Sequence, residues 1–511
     1  MIGAIESPLR EAPGGRGAPD AALEGALAEW DALAWAPREL LIDGAWRAGA
    51  AGRRLPVTDP ATGQILVEVA DAEPADCRAA LAAADRAGAG WAARAPRERA
   101  EILRRAADAL RAGIERLALL VTLDAGKPLA EAREEVALAA EYLEYYGEEA
   151  VRTAGRVQPA PDGGCLLLVR PRPVGPCLVI APWNFPLAIP ARGLAPALAA
   201  GCPAVLRASD RAPLAALALG RVLVEAGLPA GVANLVVSSR PEATDALLTD
   251  RRLRKLTVTG SSDLGRRLAA RAAGGIARVG AELGGQAPFL VCADAGLEEV
   301  LAAAVLAKCR NAGQACTAAN RFLVHRSLAG EFTRRLAERL GALRIGRGTE
   351  AGAQLGPIIS PAQRERLAGL VADAVARGAR VVLPGGPLPG PGWFFAPVVL
   401  AEVPEGARMH REEIFGPVAV VEAFADEEEA LARANASEHG LAGYVFSADL
   451  ARALDLAGRL ECGMVGVNRV KLACVAAPFG GLKASGAGRA GGPEGLAEYQ
   501  TTSYLAVAGV V

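Results

Sequence analysis

Histidine is almost missing from this chain of 511 residues: His325, His410 and His439 are its only three. They are scattered, and none lies near the sequence motifs that carry Asn184, Glu282 and Cys316. That argues against a cysteine–histidine hydrolase and an imidazole metal site, which both need imidazole beside the reacting group. Paired cysteines are missing too. The nine cysteines (Cys77, Cys165, Cys177, Cys202, Cys292, Cys309, Cys316, Cys462 and Cys474) are odd in number and never spaced as CxxC. Neither a disulfide framework nor a metal centre is expected. No sign of charge dominates: a formal net charge of -1 with 22% charged residues leaves no basic field for nucleic acid or anionic lipid. The most apolar stretches are cut by Pro, Gly or charge well short of a membrane span, and the opening MIGAIESPLREAPGG has no apolar signal core. The expectation is a reduced, cytoplasmic protein with no nucleic-acid or membrane partner.

What is present is enough chain for two or more domains, since single hydrophobic cores stop growing at roughly 250 to 300 residues. Residues 1–36 are rich in Ala, Gly and Pro and read as a mobile extension, in which Leu23, Leu27 and Trp30 could form one docking helix. Short strand-like runs follow from Leu40. Helical spacing then dominates, with Ile102, Ala106, Leu110, Ile114 and Leu117 on one face. After Pro173 strands and helices alternate, the signature of a parallel sheet with crossover helices. A second αβ series begins near Glu282, so two α/β domains in tandem are expected, with a cleft near residue 282 where they meet. Residues 151–173 and 495–511 read as strands without a home in either domain. Because exposed apolar strands invite pairing, they are expected to pair between subunits, with pairing inside the chain as the alternative.

Four stretches carry candidate chemistry. LTVTGSSDLG places Gly260 and Gly265 between a strand and a helix, where backbone N–H groups can cradle phosphate; a plain strand-to-helix turn looks the same. In RVGAELGGQAPF, Glu282 ends an apolar strand and precedes a double glycine that allows close approach, suiting it to a general base or to an ordinary cap or salt bridge. In KCRNAGQACTAANRF, Cys316 lies in a Gly-containing loop between helix and strand, as an exposed nucleophile or a small buried hydrophobe. In APWNFPLAIPARG the prolines fix a loop whose Asn184 carboxamide can donate to a developing oxyanion or make an Asx turn.

Taken together and in order, APWNFP, VTGSSDLG, ELGGQAP, NAGQACTAANRF, EEIFGP and PFGGLKASG resemble the aldehyde dehydrogenase superfamily over residues about 38 to 505. The resemblance implies an α/β fold of two Rossmann-type domains plus a small β oligomerisation flap. The dinucleotide-binding domain would cover 37–150 and 174–281, the catalytic domain 282–480, and the oligomerisation strands 151–173 and 495–511, in a homodimer or homotetramer. It implies Cys316 as nucleophile, Glu282 as general base, and Asn184 with the Cys316 backbone N–H as oxyanion donors. The activity implied is oxidation of an aldehyde to an acid with NAD or NADP, through a thiohemiacetal and a thioester.

For the cofactor, the resemblance places Gly260, Ser261 and Gly265 near the pyrophosphate, Glu413 and Phe415 near the nicotinamide ribose, and Trp183 and Leu283 along the same channel. Where the family usually has Lys and, three residues later, Glu at the adenosine ribose, this chain has Arg207 and Asp210, with Arg211 next. An arginine suits a 2'-phosphate, so NADP is favoured. Within the superfamily the motifs are most similar to the succinate-semialdehyde dehydrogenase branch, which implies that Arg192 and Arg310 hold a substrate carboxylate.

Several departures bear on this. Ala473 and Cys474 stand where Ser and Asp or Asn are usual in that branch, and Lys471 is an added cation nearby. Gly193 and Ala490 replace a lysine and a glutamate thought to relay the base's proton, which predicts slow deacylation and a burst of reduced cofactor. Ala318 stands where some members have a second cysteine, so no local disulfide with Cys316 forms. The rival readings are a diverged, weakly active paralogue with a binding or structural role, and CoA-dependent acyl transfer.

Overall fold

The computed structural model describes residues 21–509, with side chains from Glu24 onward. Residues 1–20, the Leu23 side chain and the last two residues of the 495–511 segment lie outside the described residues. The end of the expected extension is a helix, Ala21–Trp35. It docks through the face opposite to Leu27 and Trp30, which are exposed, while Ala32 is buried. Glu29 pairs with Arg347 and Asp31 with Arg116, and the guanidinium groups of Arg116 and Arg221 lie over Trp35. Short apolar residues let this helix sit close, and charges at its rim fasten it.

The first large sheet has eight strands. Its parallel centre runs, in spatial order, Ala233–Val237, Ala204–Ala208, Cys177–Ile180, Lys255–Thr259 and Arg278–Glu282. The chain adds strands on one side of Cys177–Ile180 and then on the other, which makes a topological switch point between that strand and Lys255–Thr259; ligands in open α/β sheets bind outside the carboxyl ends of strands at such a point. These strands read as continuous apolar runs because both faces are covered. The helix Ala188–Ala200 is buried along its whole length and is accordingly apolar except for Arg192.

The second sheet has seven strands. Pro288–Val291 lies between Arg321–His325 and Ala442–Phe446, all parallel, and the edge strand Arg380–Leu383 runs antiparallel. The domains interleave near the C-terminus: Gly486–Ala487, beyond the expected catalytic span of 282–480, pairs antiparallel with Arg278–Glu282 in the first sheet. Residues Gly492–Ala497 form a helix, so the terminal strand starts at Gln500 rather than 495. That strand, Gln500–Val507, pairs with Leu166–Pro173, which pairs with Arg156–Pro159. The two homeless segments thus meet within one chain, in a separate three-stranded sheet. Among the described residues no helix is long and apolar enough to cross a membrane.

Candidate active site

One helix, Leu129–Arg152, fastens the two loops that carry Asn184 and Cys316. Glu135 accepts the backbone N–H groups of Leu187 and Ala188, where its charge also faces the positive end of the helix Ala188–Ala200. Lys127, paired with Glu135 and fully buried with it, donates to the Asn184 carbonyl at 2.8 Å and lies over the Phe185 ring. One turn before Glu135, Glu131 accepts the backbone N–H of Asn311 at 2.7 Å. The Asn311 side chain donates back to the Asn184 carbonyl at 2.9 Å, so the loops are tied to each other as well as to the helix.

The Cys316 loop leaves the helix Leu297–Cys309 through three successive left-handed residues, Asn311, Ala312 and Gly313. Two of them have a β-carbon and are strained there. Hydrogen bonds over-determine the turn: Gln314 donates to the Asn311 and Pro357 carbonyls and accepts from the Ile359 N–H. At Gly313 a β-carbon would lie 2.3 Å from the Gly416 carbonyl oxygen, so only glycine passes. Cys316 emerges half-buried. Burial pushes its thiol up to about 12, with Arg192 pulling the other way and Glu413 and Glu282 reinforcing the rise.

Glu282 ends its strand in the bottom of the same cleft. Burial raises its carboxyl to about 8; Arg192 and Arg489 pull it down and Glu498 pushes it up. Its Oε2 is buried without a hydrogen-bond partner, which is costly unless the atom serves something else. The Asn184 amide donates one N–H to the Gln314 carbonyl, leaving its second free.

These groups open on a cleft of about 630 Å³ at the switch point. Trp183, Asn184, Arg207, Asp210, Gly260, Ser261, Glu282, Leu283, Cys316, Glu413 and Phe415 all line it. Trp183 and Phe415 meet edge-on at 5.4 Å. Ser261 caps the helix Ser262–Ala273, whose N-terminus opens on the cleft and suits a phosphate. Arg207 donates to the Ser238 carbonyl but keeps its Nε buried without a partner, an orphan donor that fits a group carrying phosphate or ribose oxygens. Glu413 accepts the Gly285 N–H, and burial raises its carboxyl to about 7. A larger open groove of about 960 Å³ beside the helix Arg326–Gly341 contains none of these residues.

Three expected site residues lie outside the cleft lining. Gly265 faces Leu283, whose Cδ2 would stand 2.3 Å from a β-carbon there, so this glycine admits close packing of helix on strand. Arg192 is buried, stacked on Phe479 at 4.3 Å and within the electrostatic reach of Cys316 and Glu282. Arg310 is half-buried, over Phe185 at 5.0 Å. Arg211 faces solvent, and Lys471 pairs at the surface with Glu134. Lys127, Glu131 and Glu135 were missed by sequence reasoning. Their signal was present: two acids at i and i+4 on the inward face of a helix, just after a lysine, in KPLAEAREE.

The model of the Aldehyde dehydrogenase family matches residues 46–505. The chain is 51% identical over 445 residues to a succinate-semialdehyde dehydrogenase of Paenarthrobacter nicotinovorans, covering 87% of this chain and 99% of that protein. It is 42% identical over 473 residues to a glutarate-semialdehyde dehydrogenase of Pseudomonas aeruginosa, covering 93% and 98%. Among solved structures, an NADP-dependent enzyme of E. coli superposes with a TM-score of 0.91 at 40% identity, covering 93% of this chain and 98% of that one.

Proposed function

This chain belongs to the aldehyde dehydrogenase family and oxidises an aldehyde to a carboxylic acid with NAD(P)+; from that premise we propose that its substrate is a small aldehyde carrying an acid group, such as succinate semialdehyde. The carrying observation is Arg192, buried beside Cys316 and without a carboxylate partner among the described residues. Outside any ion pair, its guanidinium keeps donors for a substrate carboxylate, which it would hold through charge-assisted bonds. Arg310, also without an acidic partner among the described residues, is the second cation in this reading.

Cys316 Sγ attacks the aldehyde carbon. The spare Asn184 amide N–H and the Cys316 backbone N–H receive the oxyanion. Trp183, Arg207, Asp210, Gly260, Ser261, Leu283, Glu413 and Phe415 would hold a nicotinamide cofactor in the cleft, which when bound would supply the hydride acceptor. Glu282 then takes a proton from water through its unpartnered Oε2, and the resulting hydroxide attacks the thioester at Cys316.

NADP is the preferred cofactor in this reading, on the strength of the orphan Nε of Arg207; Arg211, pointing to solvent, does not contribute. The sheet of 156–173 and 500–507, with Val157, Tyr504 and Leu505 exposed, joins subunits of a homodimer or homotetramer, and the protein works in the cytoplasm. The test is cofactor reduction with NAD or NADP across a panel of acidic and neutral aldehydes, beside a Cys316→Ala control. Cysteine-dependent turnover favouring acidic aldehydes is expected; equal rates on neutral aldehydes of the same length would refute the substrate class.

A further inference from the structure

Behind Glu282, on the side away from the cleft, lies a second, small cavity of about 20 Å³. That is room for about one water molecule. Glu282 and Thr259 line both this cavity and the main cleft, and Glu282 is within electrostatic reach of Cys316 on one side and of Glu498 on the other. Gly193 and Ala490, the positions where a lysine and a glutamate were expected as a relay, both line the cavity. Gly193 cannot simply regain a side chain, because a β-carbon there would stand 2.5 Å from Val179 Cγ1.

The far wall is polar. Alternation along the strand Lys255–Thr259 puts Lys255, Thr257 and Thr259 on one face, and all three line the cavity. Thr259 is in register with Glu282 and Thr257 with Gly280, so the three form a stripe running away from the carboxyl. Thr257 is hydrogen-bonded to the Tyr499 hydroxyl at 2.8 Å. The stripe ends at Lys255, only 1% exposed, which holds Glu498 at 2.7 Å. The Glu498 side chain is 28% exposed and the residue also lines the cavity, so it is in touch with both the cavity and water. The other charged side chains lining this space, Arg489 and Arg192, are guanidinium groups that stay protonated and have no acceptor atom. Glu498 is the one carboxylate opposite Glu282 among the residues lining the cavity.

We propose that Glu498, positioned by Lys255, receives the proton that Glu282 takes from the attacking water, and delivers it to solvent in place of the missing lysine–glutamate pair. The inference rests on the reading of Glu282 as the deacylating base. The protons balance: water gives one to Glu282 as its hydroxide adds to the thioester, Glu282 passes one across the cavity water to the Glu498 carboxylate, and Glu498 releases it to bulk. This alters the expectation for the unmodified enzyme, in which deacylation now has a route and no pronounced burst is due.

The experiment uses full-length protein and p-nitrophenyl acetate, an activated ester that acylates a thiol directly and so isolates deacylation from cofactor chemistry. Glu498→Gln should show a burst of nitrophenolate followed by slow turnover. Its steady-state rate should fall about 10-fold or more, within the roughly 100- to 10,000-fold that a positioned proton transfer contributes, while the burst rate stays unchanged. Glu498→Asp should recover part of the loss, and serves as the probe if the glutamine variant does not fold. Turnover of Glu498→Gln equal to that of the unmodified protein, or equal slowing of burst and turnover, would overturn the relay. Absence of any Cys316-dependent reaction in the unmodified protein would instead sink the reading on which the relay rests.

Discussion

A β-carbon on Gly285 would stand 2.8 Å from the carbonyl oxygen of Cys316. The strand that ends in Glu282 and the loop that carries Cys316 are therefore packed backbone on backbone, and the separation between base and sulfur is set there. Gly284 is equally confined, since a β-carbon on it would reach within 2.6 Å of Glu413 Oε2. The flexible end of Glu413 can swing aside; the Cys316 carbonyl cannot. Gly285→Ala should thus lower kcat by about 100-fold, the cost of displacing a reacting group by about 1 Å, whereas Gly284→Ala should lose less. Single-turnover rates of both variants, beside their melting temperatures, check this.

Lys127 and Glu135 form a buried pair whose purpose is to hold the Asn184 loop. Removing one partner leaves an unpaired buried charge, so Glu135→Gln should destabilise the protein by about 3 to 5 kcal/mol. A double replacement, Lys127→Met with Glu135→Leu, should recover much of that stability. It should not recover activity, because the Asn184 carbonyl keeps only Asn311 as donor and the N–H groups of Leu187 and Ala188 lose their acceptor. Denaturant melts set against kcat for the two variants separate the effects.

The raised carboxyl of Glu282 fixes a sign for pH. As a base it must be ionised, so deacylation should rise with pH through about 8 and level off above. For stability, a carboxyl raised above its unfolded value favours the fold's protonated form. The favourable balance is complete below the unfolded pKa and is lost as pH rises to about 8, a loss on the order of 5 kcal/mol. Glu282→Gln should therefore melt close to the unmodified protein at pH 4.5 and distinctly higher at pH 8.5, while accumulating acyl-enzyme. A melting difference that does not grow with pH would show that the carboxyl is not buried at this cost.

The parts of the fold that periodicity specifies were legible: the alternation after Pro173, and the helices near 187–200, 214–225 and 297–309, follow from burial on one face or both. The proposed catalytic positions can be picked out only through motif order, since a lone Cys316 or Glu282 has a commoner structural explanation. What stayed hidden depends on contacts far apart in sequence. Lys127 finds Asn184 across 57 residues, and the pairing of 166–173 with 500–507 leaves no local signal beyond two unclaimed strands. The interleaving of 486–487 with the first sheet is hidden for the same reason. The docking helix at Ala21–Trp35 was expected, but on the face of Leu27 and Trp30; its packing face carries Ala32 instead, because alanine leaves little apolar period to read.

In the proposed NADP reading, cofactor choice turns on one donor, the Nε of Arg207. Arg207→Leu removes the orphan Nε near the adenosine end of the cleft without touching Cys316 or Glu282. The KM for NADP should rise about 10-fold or more, as expected for loss of a hydrogen bond to a charged group, and the KM for NAD should change far less. Equal rises for both cofactors would mean that Arg207 supports only the strand ends, through the Ser238 carbonyl.

Arg192 acts on two quantities that can be read apart. As the counter-charge for an acidic aldehyde it contributes to capture, so Arg192→Leu should lower kcat/KM for succinate semialdehyde by about 10- to 100-fold, the loss of about 1.5 to 3 kcal/mol for a charge-assisted bond. A neutral aldehyde of similar size should hold its kcat/KM, which ends at acylation. The same guanidinium also pulls the Glu282 carboxyl down, so its loss should move the acid limb of kcat to higher pH for every aldehyde, acidic or neutral. A variant that lowers kcat/KM for both classes equally, with the acid limb unmoved, would assign Arg192 to packing on Phe479 and return the search for the carboxylate's partner to Arg310.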